Sequence, residues 1–242
     1  MASPNTISFA DLRWNLPLFE DLFLSMQAQN VMLVDLYLQD MEGGLMRRYM
    51  EIERTPFPET LIVSALSQMW IFALYELLRT WRQRVRDLKQ EAQKPPEPPD
   101  PAPPPNLSDL TVIFRQDQLE RVRTDAAFVA ELDHAYERVE PLFRRVEALR
   151  MNLAKHEVPK MRGVPALAPG YGRIDVMSGS IQWQVDLREN VVDLVSRRDL
   201  ADYLRQMVIA RPDADEVRKA KKKLKAKVQK AAKRSQKKRD DR

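Results

Sequence analysis

A single apolar seam, which runs from residue 132 to residue 153, most constrains how this chain can fold. Its members are spaced alternately by three and four residues, as on one helix face that packs against other helices. Pro141 lies inside the stretch, and because the seam stays in phase across it we predict a kink, or a break with a restart on the same face. The sequence therefore predicts a mainly α protein, a helical bundle. The seam consists of Leu132, Ala135, Val139, Leu142, Val146, Leu149 and Leu153.

A first helix is predicted from Pro17 to about Met41, because proline suits the first turn of a helix. The pair Gly43-Gly44 is expected to end this helix with a left-handed cap, and residues 47–55 can follow as a short helix. Several apolar residues lie near one face of the first helix: Leu18, Leu22, Met26, Leu33 and Leu36.

The second helix is predicted from about residue 59 to residue 93. Its first half contains the 18-residue apolar stretch Leu61–Leu78, which we interpret as a core helix buried nearly all round. A membrane span is the weaker interpretation, because Glu76 and several polar residues interrupt the stretch and a carboxylate inside a bilayer is costly. The second half of the helix is charged, and it is predicted to leave the core as a solvated arm.

A proline-rich segment, residues 94–106, separates the second helix from the third. Eight of its eleven residues from Pro95 to Pro105 are proline, which excludes a helix or a central strand. We interpret it as a stiff, extended spacer on the surface, and a ligand for a proline-recognition domain is the alternative. A third helix is predicted from its N-cap Ser108 to about residue 123, and Thr124 or Asp125 is predicted to cap the seam helix.

The pattern changes after Pro159, where alternating apolar and polar residues replace the helical spacing. Residues 173–177 and 181–187 predict a β-hairpin, and residues 191–195 a third short strand. Ser196 and Asp199 resemble a capping box that opens a last helix. The chain is thus divided into a helical bundle (1–160), an appendage of hairpin and helix (161–212) and a basic tail (213–242).

The net charge of +5 is concentrated in the tail. Residues 218–242 carry fourteen Lys or Arg and two Asp, a net of +12, so the rest of the chain carries −7. Such a tail is predicted to bind phosphate groups with little sequence preference, or an acidic surface, including this chain's own body. Nucleic acid is the favoured partner, although no aromatic side chain is interleaved for base stacking. The candidate nucleic-acid-binding residues are Lys221, Lys222, Lys223, Lys225, Lys227, Lys230, Lys233, Arg234, Lys237, Lys238 and Arg239.

Residues whose side chains can take part in catalysis lie at the end of the seam. The next seam position after Leu153 holds His156, and Arg150 and Asn152 precede it. Asn152 and His156 are four residues apart, so they can touch on one helix face. The alternative is a structural role, in which Arg150 pairs with a nearby Glu and His156 caps the end of the helix.

This pattern resembles the Arg-(four to six residues)-His motif of the HEPN superfamily, α-helical bundles that include many metal-independent ribonucleases. The resemblance covers roughly residues 17–158 and implies a homodimer whose two motifs meet in one cleft. It implies His156 as general acid or base on RNA, Arg150 as stabiliser of the phosphate charge and Asn152 as the orienting residue. The family often has a polar residue directly after the Arg, where this chain has Met151.

Other sites are excluded by composition. The chain has no cysteine and two histidines, so thiolate and histidine-rich metal sites are excluded and no cofactor is predicted. The second histidine, His134, is interpreted as an ordinary surface residue. Gly170-Tyr171-Gly172 is not a phosphate-binding loop, because it lacks the Lys-Ser or Lys-Thr pair that ends such a loop and the strand–loop–helix arrangement around it. The first residues do not resemble a signal peptide, and we expect a cytoplasmic protein.

Two functions follow from these patterns. The first is a HEPN-like, RNA-acting homodimer, an endoribonuclease of a toxin–antitoxin or antiviral defence system, with a neutralising or complex-partner protein. The second is a non-catalytic helical adaptor that dimerises through the bundle and binds nucleic acid or an acidic partner through the tail. A membrane-associated protein, inserted through Leu61–Leu78, is a third and weaker hypothesis.

Overall fold

The structure, a computed structural model, describes residues 15–95, 107–155, 172–186 and 192–207. It is mainly α, as predicted, with one small antiparallel sheet. The predicted ends at Pro159 and Pro212 and almost the whole proline-rich segment lie outside the described residues. The elements are α1 (Leu22–Ile52), α2 (Phe57–Ala92), α3 (Leu107–Thr124), α4 (Ala126–Lys155), β1 (Arg173–Ile174), β2 (Ile181–Asp186), β3 (Val192–Ser196) and α5 (Arg197–Gln206).

Helix α4 confirms the seam prediction. All seven seam residues are buried, and each is at most 4% exposed. The helix runs without a break through Pro141, so the residues on both sides of the proline share one face. Asp125 caps the helix, because its carboxylate accepts hydrogen bonds from the amides of Ala127 and Phe128. Ser108, the predicted N-cap of α3, lies within the described part of this helix, which starts at Leu107.

Helix α1 differs from its prediction at both ends. It begins at Leu22, not at Pro17, because the Asp21 carboxylate accepts hydrogen bonds from the amides of residues 23 and 24. It then continues through Gly43-Gly44 as far as Ile52, and Glu53 provides the left-handed cap with φ 51°. The predicted stop at the glycines was wrong: the buried Glu42 and Leu45 on either side anchor the helix in the core.

Helix α2 has the predicted length, but both of its halves are buried on one side only. In the apolar first half, Leu61, Ile62 and Met69 are exposed. The charged second half was wrongly predicted as a solvated arm, because Trp81, Val85 and neighbouring apolar residues are buried. The reason is that α4 runs antiparallel to α2 and covers this side of it. The pairs Lys89–Asp133 and Arg82–Glu140 fix this alignment.

The C-terminal elements form the predicted meander, in the order β1-β2-β3 with antiparallel neighbours. Ile181, Trp183 and Val185 alternate inward into the same core as the helices. The turn between β1 and β2 packs directly on α1. Gly179 in this turn has φ +73°, and a Cβ there would lie 2.1 Å from the carbonyl oxygen of Glu42, so only glycine fits. The Ser196–Asp199 capping box is formed as predicted and opens α5.

Candidate functional site

Arg150 lies near the end of α4 and is half-buried against α2. Its guanidinium stands over the ring of Tyr75, 5.1 Å from the ring centroid, a distance typical of a cation–π contact. A guanidinium N–H also points at the Met151 sulfur, 3.3 Å away. The predicted pairing with a glutamate is absent within the described residues, where Glu147 forms no ion pair with Arg150. Arg150 is therefore engaged by an aromatic ring.

Tyr75 belongs to a layered arrangement of rings and cations between α2 and α4. Its ring stacks on Phe143 at a centroid distance of 5.7 Å, and the Arg82 guanidinium covers the ring of Phe143 at 4.2 Å and that of Tyr136 at 4.4 Å. Arg150 thus caps one end of a stack that joins the two helices. This arrangement contributes to packing, and it limits the freedom of the guanidinium to reach a ligand.

Asn152 points to a different side of α4. It is 7% exposed and lies beside the buried seam residues Leu149 and Leu153. At about 100° per residue, Arg150 and Asn152 are separated by about 200° around the helix. The structure therefore does not bring these two predicted site residues together. His156 lies outside the described residues, as do the candidate residues of the basic tail, so their predicted roles stay predictions.

Arg82 is the best-bound cation between α2 and α4. It is 8% exposed, and it forms an ion pair with Glu140 and donates a hydrogen bond of 2.8 Å to the Tyr136 hydroxyl. Burial opposes ionisation of Glu140, but hydrogen bonds from Arg144 and Arg82 and their charges outweigh it. The pKa of Glu140 is held below its ordinary value of 4.5. No spacing pattern in the sequence pointed to this pair.

A second charged cluster, which we call the buried ion network, was also missed. Arg197, the first residue of α5, is fully buried and donates bidentate hydrogen bonds of 2.7 and 2.5 Å to the Glu42 carboxylate. It also binds Asp35, which is shared with Arg205. Arg198 donates to Glu42 as well, at 2.5 Å. The network joins α1 to α5 across more than 150 residues of chain.

One sequence pattern could have located this network. Asp35 and Glu42 are seven residues apart, so they lie on one face of a helix, and Asp35 interrupts a long uncharged stretch. A carboxylate at such a position requires a buried cation. The identity of that cation could not be deduced, because Arg197 is one of many arginines in the chain. Together with Asp202, which pairs with Arg205, the network contains three carboxylates and three arginines, all of them in ion pairs. This balance of charge indicates a structural role.

A shallow pocket lies between α4, β3 and α5. Its volume is about 480 Å³, and Arg145 stands over the ring of Tyr203 at one side. Asp199 and Asp202 line it but are already used by the capping box and by Arg205. Within the residues that the structure describes, no cluster of His, Asp and Glu could hold a metal ion.

An apolar surface that the contacts described above do not explain lies on α1 and α2. We call it the hairpin face, because α1 and α2 form a helical hairpin; the name does not refer to the strands β1 and β2. Asp21 and Asp35 are the only charged residues of the sequence between Glu20 and Asp40, and both are buried; residues 60–75 contain no charge. The face consists of the exposed residues Leu22, Phe23, Met26, Leu33, Val34, Leu36 and Tyr37 of α1 with Leu61, Ile62 and Met69 of α2.

The hairpin face bears on two sequence predictions. Leu22, Met26, Leu33 and Leu36 lie on one face of α1 as predicted, and that face is exposed. Leu18, the fifth residue of the predicted set, lies before the helix and is buried. Helix α2 is long and apolar enough to cross a membrane by length and composition alone. Only 39% of its apolar 18-residue window is buried. The predicted core helix, buried nearly all round, was therefore wrong.

Comparison of the chain with protein-family models, with curated proteins and with solved structures finds no match.

Proposed function

We propose that this chain is a non-catalytic helical adaptor, which binds partners through its folded surface and its basic tail. The observation that carries the proposal is the hairpin face. Ten large apolar side chains are exposed together on two adjacent helices, and monomeric soluble proteins rarely expose so large an apolar patch without an interaction that covers it.

The state of Arg150 supports the same function. Its guanidinium is already occupied by the Tyr75 ring, and Asn152 is buried on another side of α4. A catalytic arginine has to meet the charge that develops on a phosphate. The contacts of Arg150 instead join α4 to α2, so Arg150 acts as a packing residue.

The basic tail is proposed as an electrostatic anchor. Fourteen cations over 25 residues attract phosphate groups strongly at low salt and weakly at high salt. Deleting residues 216–242 is expected to abolish binding to a single-stranded RNA and to leave the thermal unfolding of the bundle unchanged. RNA binding that survives the deletion with its salt dependence intact would count against the anchor.

The adaptor function is tested by assaying cleavage of a mixed RNA pool in EDTA. The wild-type chain, the Arg150→Ala/His156→Ala variant and a control variant, Arg48→Ala/His134→Ala, are compared. The control changes an Arg and a His at exposed positions. An adaptor is expected to cleave nothing in any form. Cleavage by the wild type and by the control, lost in the Arg150/His156 variant, would overturn the proposal.

That result would establish a metal-independent ribonuclease and favour the second candidate that we propose, a HEPN-like endoribonuclease of a toxin or antiviral defence system. One observation favours it: Arg150 is only half-buried, so its guanidinium is partly accessible to solvent. The resemblance to the superfamily motif stands beside this observation and adds the expectation of a homodimer.

A further inference from the structure

We infer that the hairpin face is a self-association surface, where a second copy of this chain pairs with the first about a two-fold axis. The inference rests on the proposed adaptor function, since it names the partner that covers the exposed surface. It also differs from the dimer implied by the HEPN resemblance, because it uses the α1/α2 surface and requires neither Arg150 nor His156.

The area of the face matches what a dimer needs. The ten residues are exposed by 37–65%, and a large side chain presents roughly 200 Å². The face therefore exposes on the order of 1,000 Å² of apolar surface, whereas a stable interface buries about 800 Å² on each partner. The largest apolar patch of a typical monomer is about 300–600 Å².

The charges around the face also fit a protein partner. No exposed charged side chain lies inside it, and Glu20, Asp40, Glu59 and Glu76 stand at its borders. An apolar centre with a charged rim is the usual anatomy of a protein interface. Glu76 is paired with the exposed Arg79, so the border carries both signs of charge. The apolar centre offers phosphate no cation, which disfavours nucleic acid as the occupant.

The buried ion network argues against insertion into a membrane. The Trp70 indole N–H donates to the Val31 carbonyl oxygen, which aligns these two levels of α1 and α2. The apolar window of α2 therefore runs beside the part of α1 that carries Asp35 and Glu42, each bound to buried arginines. Inserting α2 would move these ionised groups to bilayer depth, where charges are costly.

The same alignment identifies the centre of the face. Leu33 and Met69 lie within two residues of the aligned pair Val31 and Trp70, and both are 65% exposed. In a two-fold pairing, residues near the axis meet their own copies. Leu33 is thus the position whose change is expected to weaken the pairing most.

The first test measures the mass of the full chain by light scattering during size exclusion, over a range of concentrations. The wild type is expected at twice the chain mass of 28.2 kDa. Leu33→Glu is expected to raise the dimer dissociation constant at least tenfold, because it buries a charge at the centre of the contact. Leu194→Glu, a half-exposed leucine on β3, is the matched control and is expected to remain dimeric.

The second test uses the absence of cysteine in the sequence. Leu33→Cys is expected to form a disulfide-linked dimer under mild oxidation, while Met177→Cys, at the most exposed turn position, stays monomeric on a denaturing gel. A wild type that is monomeric at all concentrations overturns the inference, and so does a Leu33→Glu variant that remains fully dimeric.

The remaining outcomes assign the face to another occupant. Monomeric wild type that floats with phosphatidylcholine vesicles, and Leu33→Glu that does not, would assign the face to lipid and overturn self-association. Failure of self-association leaves the adaptor proposal standing if no RNA is cleaved. Cleavage that depends on Arg150 and His156 removes the adaptor proposal even if the dimer forms.

Discussion

Helices α1 and α4 have nearly the same length, yet they relate to the core in opposite ways. On α4, the one apolar seam that the sequence predicts is buried along its full length. On α1, the predicted apolar face is exposed, and the opposite face buries Leu24, Val31 and Leu38 together with Asp35 and Glu42. An apolar period identifies the core face only when the other face is polar.

The charged residues on the buried faces explain the difference. The two carboxylates of α1 are tolerated inside because Arg197, Arg198 and Arg205 reach them from α5. α4 needs no such partner on its seam, which contains apolar residues alone. Four changes can break or sharpen this comparison, and they are given from the largest expected effect to the smallest.

Removing the central cation of the buried ion network is expected to have the largest effect. Arg197→Ala leaves Asp35 and Glu42 buried without full compensation, so we expect the free energy of unfolding to fall by about 3–5 kcal/mol, measured by urea denaturation. Arg48→Ala, which breaks an exposed pair with Glu51, serves as the control and is expected to cost less than about 1 kcal/mol. Equal losses in the two variants would contradict a special role for burial.

Truncating an apolar side chain compares the two helices directly. Leu142→Ala on the α4 seam, which is fully buried, is expected to lower the unfolding free energy by about 2–5 kcal/mol. Met50→Ala, on an exposed position of α1 outside the hairpin face, is expected to change it by less than about 0.5 kcal/mol. A large loss for Met50→Ala would mean that this part of α1 is covered.

Acid titration tests how much the charge of Glu140 contributes to the packing of α4 on α2. The pKa of Glu140 is lowered in the folded chain, so its stabilising contribution is present above about pH 4.5 and is lost as the pH falls through the lower folded value. Glu140→Gln is expected to cost about 1–2 kcal/mol at neutral pH. The gap between wild type and variant is expected to close below pH 4.5, and a constant gap would contradict this account.

The smallest effect is expected at Arg150. Its contact with the Tyr75 ring is partly exposed, so Arg150→Ala is expected to lower the unfolding free energy by about 0.5–1 kcal/mol. Tyr75→Leu retains apolar packing but removes the ring, which also stacks on Phe143. The double variant should therefore lose less than the sum of the two single losses. Additive losses would show that the guanidinium and the ring act independently.

Much of the fold could be predicted from local patterns. The α4 seam, the Asp125 cap, the three-stranded meander and the Ser196–Asp199 box follow from spacing within a few residues. The candidate site was predicted less well. Arg150 is a chemically capable residue, but its ring partner Tyr75 is 75 residues away along the chain, and nothing in the local pattern pointed to it.

The sequence by itself determined the helical seam, the strand alternation, the concentration of positive charge in the tail and the exclusion of cysteine chemistry. Each of these depends on residue type and on short spacing. Only the tertiary structure decided which face of α1 is buried, how far α4 covers α2, and that Arg197, Arg198 and Arg205 pair with Asp35 and Glu42. These outcomes depend on which distant segments meet, because the free energy of burying a carboxylate is set by the cation brought to it.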